Sequence, residues 1–347
     1  MGQTYFLGLE IGPRAATAAL LGRDRSPAGA HTQPIAPDAE DDGGFRIDPR
    51  KWVRLASDTV RELVESSGIP ASKIWGFAPA APRGWMALDA DWNPLTDLRL
   101  AHAFRPTCFR GEILRFLDNH PRNRAHCALI LAPKDYLRFA LSRIIATDTS
   151  DAAGLGFLRP GAGEWDGAEL AAHSLEARWL PPVLPAAFAC GRIGPRGMEA
   201  LGLSDSAWVA VGSTLAPTRL AGCGFLDAPA VYLSAAEPLL ARWHTKAPAG
   251  AEAEPGLTHT DFLLSAGRDD IPSEAFTPET PIILDWREEE DPGPLRAWAA
   301  STGRPVYAAP LAGRASPGAA VLAALASGAF ADREAFFRRF APALLDV

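Results

Sequence analysis

The chain has 347 residues, of which 48% are hydrophobic and 22% are charged, as in an ordinary globular protein. This length is sufficient for two domains, because a single hydrophobic core rarely grows beyond about 250 residues. The formal net charge of −7 at pH 7 argues against an extensive nucleic-acid surface, since phosphate binding requires clustered lysine and arginine side chains.

The N-terminus, the histidines and the cysteines narrow the class of protein further. The chain opens without a basic segment followed by an apolar run, and no apolar stretch approaches the roughly 20 residues of a membrane helix. We therefore predict a cytoplasmic protein without membrane association. The histidines show no paired spacing, which predicts no metal site. The cysteines form no CxxC pair and are expected to be reduced, buried thiols: Cys108, Cys127, Cys190 and Cys223.

Strands and helices alternate along the first part of the chain. Asp48 and Pro49 predict the start of a helix, because aspartate caps a first turn and proline fits the first helical position; Gly68 predicts its end. A buried amphipathic helix is predicted over residues 133–141. The predicted strands are residues 5–12, 15–21, 74–78, 85–88 and 208–211.

The last third of the chain repeats this alternation after a predicted surface loop over residues 246–255. Strands that alternate with helices are typical of an α/β fold, which is the fold class we predict. The predicted elements here are strands at 282–285 and 306–308 and helices at 294–301, 317–325 and 332–340.

Several segments carry a resemblance to a known family. The three longest are GGFRIDPRKW at 43–52, LAPKDYLRF at 131–139 and TDTSDAAG at 147–154. Shorter segments follow in the same order: LPPV at 180–183, GRPV at 303–306 and SPGAAVLA at 316–323. Together they resemble the FGGY family of carbohydrate kinases, especially its xylulokinase-like branch.

The resemblance implies an actin-like ATPase fold, of the ribonuclease H-like class, with two domains and a cleft between them. We place an N-terminal domain at residues 1–215 and a reduced C-terminal domain at residues 216–347. Family members are longer, and the missing part falls mainly between about Gly267 and Thr280. The resemblance also implies a kinase that uses ATP and Mg²⁺ on a small sugar or polyol.

The phosphate-binding segments depart from the family pattern. Where the family has Asp-x-Gly-Thr after the first strand, this chain has Glu10, Gly12 and Pro13, and proline removes a backbone N–H where a donor is wanted. Glu10 is then either a remnant that faces a metal-bound water or an exposed acid of a turn. The second phosphate loop aligns with residues 233–238 and the adenosine turn with 283–286, and neither contains glycine.

The family's catalytic base, an aspartate after two or three glycines, is also missing. Gly212 is a remnant of this loop, and Ser213 or Thr214 holds the base position. A hydroxyl does not accept a proton near neutral pH unless another base activates it. Asp205 and Asp227 lie nearby in sequence and are either substitutes for the base or ordinary loop acids. No catalytic residue is therefore assigned.

On the sugar side, the resemblance leaves three candidates. Arg83 aligns with a sugar-contacting segment and either contacts an anionic ligand or is solvated. Asp97 and Arg99 match a second sugar contact, at a spacing that requires a deletion. The better-kept segments around Lys134 and Asp148 are expected to be structural, and to pack helix against sheet.

These observations favour a pseudokinase that binds a small ligand or a protein partner, or that forms a homodimer. The alternative is an active ATP-dependent sugar kinase with relocated catalytic groups. The two hypotheses differ at one place, because an active kinase needs a carboxylate in the cleft beside Gly212. Asp205, Asp227 and Glu237 are the candidates for it. A further alternative is that another chain completes the second domain, which would leave an exposed apolar patch.

Overall fold

A computed structural model gives the fold of most of the chain. The predicted loop over 246–255 and the predicted helix over 332–340 lie outside the described residues, as do Pro13, Cys223, Asp227 and Glu237. The residues described are 3–12, 14–24, 26–36, 38–39, 44–101, 108–159, 162–222, 231–234, 240–244, 259–263, 282–285, 293–301, 303–308 and 315–330.

The secondary structure follows the predicted alternation. The strands are β1 (Tyr5–Ile11), β2 (Ala15–Gly22), β3 (Pro27–Pro34), β4 (Asp38–Ala39), β5 (Phe45–Ile47), β6 (Ile74–Ala81), β7 (Gly84–Leu88), β8 (Leu98–Leu100), β9 (Leu129–Leu131), β10 (Ala189–Arg192), β11 (Trp208–Ala210), β12 (Ser213–Thr214), β13 (Val231–Ser234), β14 (Leu240–His244), β15 (His259–Leu263), β16 (Ile282–Asp285) and β17 (Val306–Ala308). The helices are α1 (Pro49–Ser67), α2 (Arg110–Asn119), α3 (Pro121–His126), α4 (Pro133–Ser142), α5 (Thr149–Leu155), α6 (Gly167–Ala172), α7 (Pro195–Leu201), α8 (Leu215–Gly222), α9 (Gly293–Ser301) and α10 (Ser316–Ala326).

The first sheet has the order β10-β11-β6-β1-β2-β3, and β12 pairs with the end of β6. Strands β1, β2 and β3 form an antiparallel meander, whereas β6 and β11 run parallel to β1. The predicted hairpin of the first two strands is therefore confirmed. Strand β3 was missed because its side chains are mostly exposed or half-buried and lack the apolar pattern of a buried strand.

Two smaller sheets complete the structure. The order β4-β5-β8-β7-β9 forms the second sheet, which lies next to α2 and α4. The order β15-β14-β13-β16-β17 forms the third, in which β13, β16 and β17 are parallel. The mixed sheets and their covering helices confirm the predicted α/β class.

Helix α1 forms as its sequence predicts. The Asp48 side chain accepts a hydrogen bond of 2.7 Å from the backbone N–H of Arg50, Pro49 occupies the first turn, and Gly68 ends the helix. One face of the helix then packs against the first sheet. The buried apolar residues on that face are Trp52, Ala56, Val60, Leu63 and Val64.

Helix α10 packs on the first sheet although it lies near the C-terminus. A methyl group added at Gly8 of β1 would lie 1.9 Å from the backbone oxygen of Ser316, so the helix backbone rests directly on the strand. Most residues of α10 are alanine or glycine, and nearly all residues of the helix are buried, so its backbone can approach the strand this closely. The domain boundary between residues 215 and 216 remains a prediction.

The cysteines depart in part from expectation. Cys127 is buried, and burial raises the pKa of its thiol to about 12, which makes it unreactive. Cys190 is half-buried, and Cys108 is exposed. The prediction that all four thiols are buried is therefore wrong for Cys108, which precedes α2 on the surface. No helix in the part of the chain that the structure describes has the length and apolar character to cross a bilayer.

Candidate functional site

A group of charged side chains from α4 and the start of α5 is buried beside the ends of β6 and β11. We call it the buried charge cluster. The Lys134 ammonium lies 2.7 Å from Asp135 Oδ1, 3.0 Å from Asp148 Oδ1 and 3.0 Å from Asp151 Oδ2. The four side chains are at most 3% exposed. The fifth member is Arg138, which is fully buried.

Arg138 ties the cluster to the backbone around it. Its Nη2 lies 3.1 Å from Asp135 Oδ1, and its guanidinium also donates to the carbonyls of Val211 and Ala146. Val211 follows β11, and Ala146 shortly precedes α5. One guanidinium therefore joins α4 to the two segments that lead to the predicted base position.

The pKa values follow from burial and from the arrangement of charges. Burial lowers the pKa of Lys134, but the three carboxylates together raise it above its usual range. Burial raises the pKa of Asp148, yet Lys134 and hydrogen bonds from serine hydroxyls bring it below its ordinary value. Burial and the neighbouring Asp135 and Asp148 raise the pKa of Asp151 to about 8. The raised pKa favours a protonated, neutral Asp151 at neutral pH.

The predicted base position is closed by hydrogen bonds to this cluster. The Ser213 hydroxyl donates to Asp148 Oδ2 at 2.8 Å, and the Ser150 hydroxyl donates to the same oxygen at 2.6 Å. Thr214 donates to Ser150 Oγ from its backbone N–H, at 3.1 Å, and from its hydroxyl, at 3.0 Å. Ser213 is only 1% exposed. The two residues at the base position thus hold β12 against α5.

The backbone conformation of Gly212 positions Ser213 and Thr214. Its φ of +78° lies in the left-handed region, and a methyl group there would stand 2.1 Å from the carbonyl oxygen of Pro79. Its backbone N–H donates to the carbonyl of Ala186 at 2.9 Å. The glycine remnant of the family loop is kept here because the backbone passes too close to β6 for any side chain.

Asp205 does not supply the missing carboxylate. It is exposed in the turn that precedes β11, whereas Gly212 follows that strand. The three residues of β11 alone separate the two ends by about 10 Å at ~3.3 Å per residue. The acid that does reach the base position is Asp148, which the sequence interpretation treated as structural.

Glu10 lies near the end of β1. Strands β1 and β12 both pair with β6, on its two sides. Its Oε2 accepts a hydrogen bond of 2.6 Å from the backbone N–H of Ala315, and its Oε1 lies 3.7 Å from Arg219 Nη2. The Glu10 side chain is 13% exposed, so the alternative of an exposed turn acid is wrong. The carboxylate instead stabilises the start of α10, where helix N–H groups favour an anion. Gly12 donates its N–H to the carbonyl of Ala15 at 2.8 Å.

The segments aligned with the other nucleotide loops are not turns where the structure describes them. Residues 233–234 end β13, and residues 283–285 lie in β16, the central strand of the parallel part of the third sheet. Ile283 and Leu284 are fully buried. The backbone N–H groups of such strands bond to neighbouring strands, which leaves them unable to cradle phosphate.

The sugar-side candidates are not brought together. Arg83 is half-buried against α5, where its side chain packs on Gly154. Burial lowers the pKa of Arg83, and the nearby Asp151 and Asp148 partly offset this effect. Asp97 and Arg99 instead line a separate cavity of about 310 Å³. Arg83 is not among the residues that line this cavity. Among the described residues, no group of histidine, cysteine and acidic side chains is arranged to hold a metal ion.

The sequence of the chain is similar to those of known proteins. Residues 107–214 match the model of the FGGY family of carbohydrate kinases, N-terminal domain. The xylulose kinase of Bacillus subtilis is 24% identical over 250 residues, which cover 64% of this chain and 50% of that protein. The L-xylulose/3-keto-L-gulonate kinase of Escherichia coli is 24% identical over 233 residues, 57% of this chain and 46% of that protein. The chain thus spans about half the length of the curated relatives it matches.

Solved structures extend the likeness to the whole fold. Gluconate kinase from Lactobacillus acidophilus superposes with a TM-score of 0.80 at 12% identity and covers 99% of this chain and 93% of its own. Glycerol kinase from Plasmodium falciparum, solved with ADP, gives 0.76 at 10% identity, with coverage of 99% and 94%. These similarities confirm the actin-like ATPase fold predicted from the sequence.

Proposed function

We propose that this chain, a divergent member of the FGGY family of carbohydrate kinases, is a pseudokinase that binds a small ligand or a protein partner. The observation that carries the proposal is the state of the base position. Ser213 is buried there, and its hydroxyl donates a hydrogen bond to Asp148 at 2.8 Å. A kinase needs at this point a group that accepts a proton from the sugar hydroxyl.

Asp148 is a poor replacement for the missing base. Its two oxygens contact Lys134, Ser150 and Ser213, and its side chain is 3% exposed. Its pKa is lowered because Lys134 and the serine hydroxyls stabilise the carboxylate more than burial disfavours it. A carboxylate stabilised in this way has little tendency to take a proton, and a sugar hydroxyl has no free oxygen to approach.

The described residues also do not fit ATP with Mg²⁺. The Glu10 carboxylate is engaged with Ala315 and Arg219, and the Gly12 N–H bonds to its own turn. With both oxygens engaged in this way, Glu10 is a poor partner for a metal-bound water. We therefore derive no step of the reaction through ATP.

The alternative function is an active ATP-dependent sugar kinase with relocated groups. One observation favours it: Asp148 lies one hydrogen bond from Ser213, and Arg83 lies beside the same cluster. In that reading Arg83 contacts the sugar, and Asp148 activates the hydroxyl of Ser213. The matching relatives are named as kinases of xylulose and related ketoses, so a ketose or polyol is the substrate class to test.

Titration calorimetry with ATP and Mg²⁺ tests the proposal, alone and with a panel of ketoses and polyols, followed by an assay of ADP release. We expect neither saturable ATP binding up to millimolar concentrations nor sugar-dependent ADP release. ATP binding with sugar-dependent release would overturn the pseudokinase proposal. The variants Ser213→Ala and Asp205→Asn would then locate the base, since only the first removes a group at the base position.

A further inference from the structure

We propose that three exposed arginines at the junction of α1, α4 and α7 form a binding site for the phosphate monoester of a small molecule. Arg50 lies in the first turn of α1, Arg143 ends α4, and Arg196 lies in the first turn of α7. The three helices pack against one another. We call these three residues the arginine face. None of them belongs to the buried charge cluster or lines the cavity beside Arg99, so the site is separate from both.

Arg143 holds a backbone conformation that normally belongs to glycine. Its φ of +60° ends α4 in the left-handed region. The described helices α1, α5 and α7 end in the same conformation, and each uses glycine there: Gly68, Gly156 and Gly202. A side chain in this region is strained, because its Cβ crowds the backbone. The turn alone therefore favours glycine at position 143, and the guanidinium is the reason we give for arginine.

Aromatic rings hold the Arg143 guanidinium in place. It lies 4.8 Å from the ring centroid of Phe139, one turn earlier in α4. The ring of Trp92 lies 5.2 Å from the same Phe139 ring, and Trp92 is 42% exposed. Trp92 also has a positive φ, of +67°, which is strained for a bulky residue. These contacts orient the guanidinium without neutralising its charge, so its N–H groups remain available to an anion.

A tyrosine hydroxyl lies among the same charges. Tyr136 of α4 is only 8% exposed, yet its hydroxyl has no hydrogen-bond partner among the described residues. Burial and Asp48 raise the pKa of Tyr136, whereas Arg50 and Arg143 act to lower it, which places these charged groups near its ring. A largely buried tyrosine hydroxyl usually has a partner. The unused donor of Tyr136 therefore indicates a place for a ligand oxygen.

The charges select phosphate over a carboxylate. Among the described residues, none of the three arginines forms an ion pair with an acid. Burial and the neighbouring Arg196 lower the pKa of Arg143, so two like charges face each other. Asp48 caps α1, and Glu199 of α7 is exposed without an ion pair to Arg196. A phosphate monoester carries roughly −1.5 to −2 at pH 7 and has three terminal oxygens, which several guanidinium groups can share.

Trp92 favours an organic ester over the free anion. Its indole packs on the same Phe139 ring as the Arg143 guanidinium, so an exposed aromatic surface lies next to the cation. A sugar or aromatic ring attached to the phosphate can stack on this indole. A phosphorylated small molecule with a ring is therefore the ligand class that this surface fits.

Titration calorimetry on the full chain tests the site with phenyl phosphate, phenyl sulfate and inorganic phosphate. We expect phenyl phosphate to bind saturably and about tenfold tighter than phenyl sulfate, which has the same ring but a single negative charge. Inorganic phosphate should bind about threefold more weakly than phenyl phosphate, because it has no ring to stack on Trp92.

Variants of the arginine face separate ligand binding from folding. Arg143→Gly should weaken phenyl phosphate binding about tenfold. It should unfold at a urea concentration at least as high as the parent, because glycine suits the φ of +60°. Arg196→Gln removes an exposed side chain without an ion pair and should cause the same loss of binding. Tyr136→Phe deletes only the unused hydroxyl and should weaken binding about threefold. Arg122→Gln, an exposed arginine of α3, is the matched control and should bind as the parent does.

Several results would overturn the proposal. These are no saturable binding of phenyl phosphate, equal affinity for the phosphate and the sulfate, or unchanged binding in both Arg143→Gly and Arg196→Gln. A phosphoserine peptide that binds much more tightly than phenyl phosphate would assign the arginine face to a protein partner instead. Loss of binding in Arg83→Gln, with none in Arg196→Gln, would move the ligand to the ancestral cleft. The proposal does not depend on whether the protein phosphorylates a sugar.

Discussion

The buried charge cluster and the cavity lined by Asp97 and Arg99 both combine basic and acidic side chains, but they differ in exposure to solvent. In the cluster, Lys134 lies within 3.0 Å of three aspartates, and the side chains are almost completely buried. In the cavity, Arg46, Asp97 and Arg115 are exposed. Buried charges must be compensated by one another, because water does not solvate them, whereas exposed charges are solvated and contribute little to stability.

The burial of the cluster also bears on the segments that carry the family resemblance. The segments at 131–139 and 147–154 contain the cluster, and removing one member leaves its partners buried without compensation. At the predicted base position, the hydroxyls of Ser213 and Thr214 complete the cluster's hydrogen bonds.

The substitution Lys134→Met gives the largest expected effect. It leaves buried acids without their cation, so we expect the free energy of unfolding to fall by about 3–5 kcal/mol, measured by urea denaturation. Lys51→Met, at an exposed lysine of α1, is the control and should change it by less than about 0.5 kcal/mol. Equal losses in the two variants would contradict a stabilising role of the cluster.

Asp151→Asn tests the neutral state of Asp151. The pKa of this acid is raised in the folded state to about 8, so between its unfolded value and pH 8 the folded chain binds more protons than the unfolded chain. The contribution of Asp151 to stability is therefore lost as the pH rises through this window, by about 1 kcal/mol per pH unit.

The asparagine variant should remove this slope. We expect the stability of the variant relative to the parent to rise by about 2 kcal/mol between pH 6 and pH 8, in urea denaturation at each pH. Asp205→Asn, at an exposed position, controls for other titrating groups and should keep the parent's slope. A parallel pH dependence of parent and Asp151→Asn would show that Asp151 is ionised throughout.

Ser213→Ala should have a smaller effect. It deletes one hydrogen bond to Asp148, which keeps those from Ser150 and its contact with Lys134, so we expect a loss of about 1–2 kcal/mol. In Ser66→Ala the deleted hydroxyl bonds only to the carbonyl of Leu63 in its own helix, and a change below about 0.5 kcal/mol is expected. No loss in Ser213→Ala would mean that the base position is open to solvent.

The amino-acid sequence by itself determined the local elements and the family resemblance. Asp48, Pro49 and Gly68 predicted the bounds of α1, and the apolar runs around Gly8 predicted the first hairpin, because capping and alternation act within a few residues. The order of the segments that resemble the family predicted the actin-like fold. Degraded phosphate and base segments were also visible, since glycine, aspartate and proline have distinct backbone chemistry.

Only the tertiary structure decided what the changed residues do. Glu10 meets Ala315 across 305 positions of sequence, and Ser213 meets Asp148 across 65. It also separated Arg99 from Arg83, although both were predicted on the sugar side. Such partners are set by strand register and helix packing, which join residues that no local pattern relates.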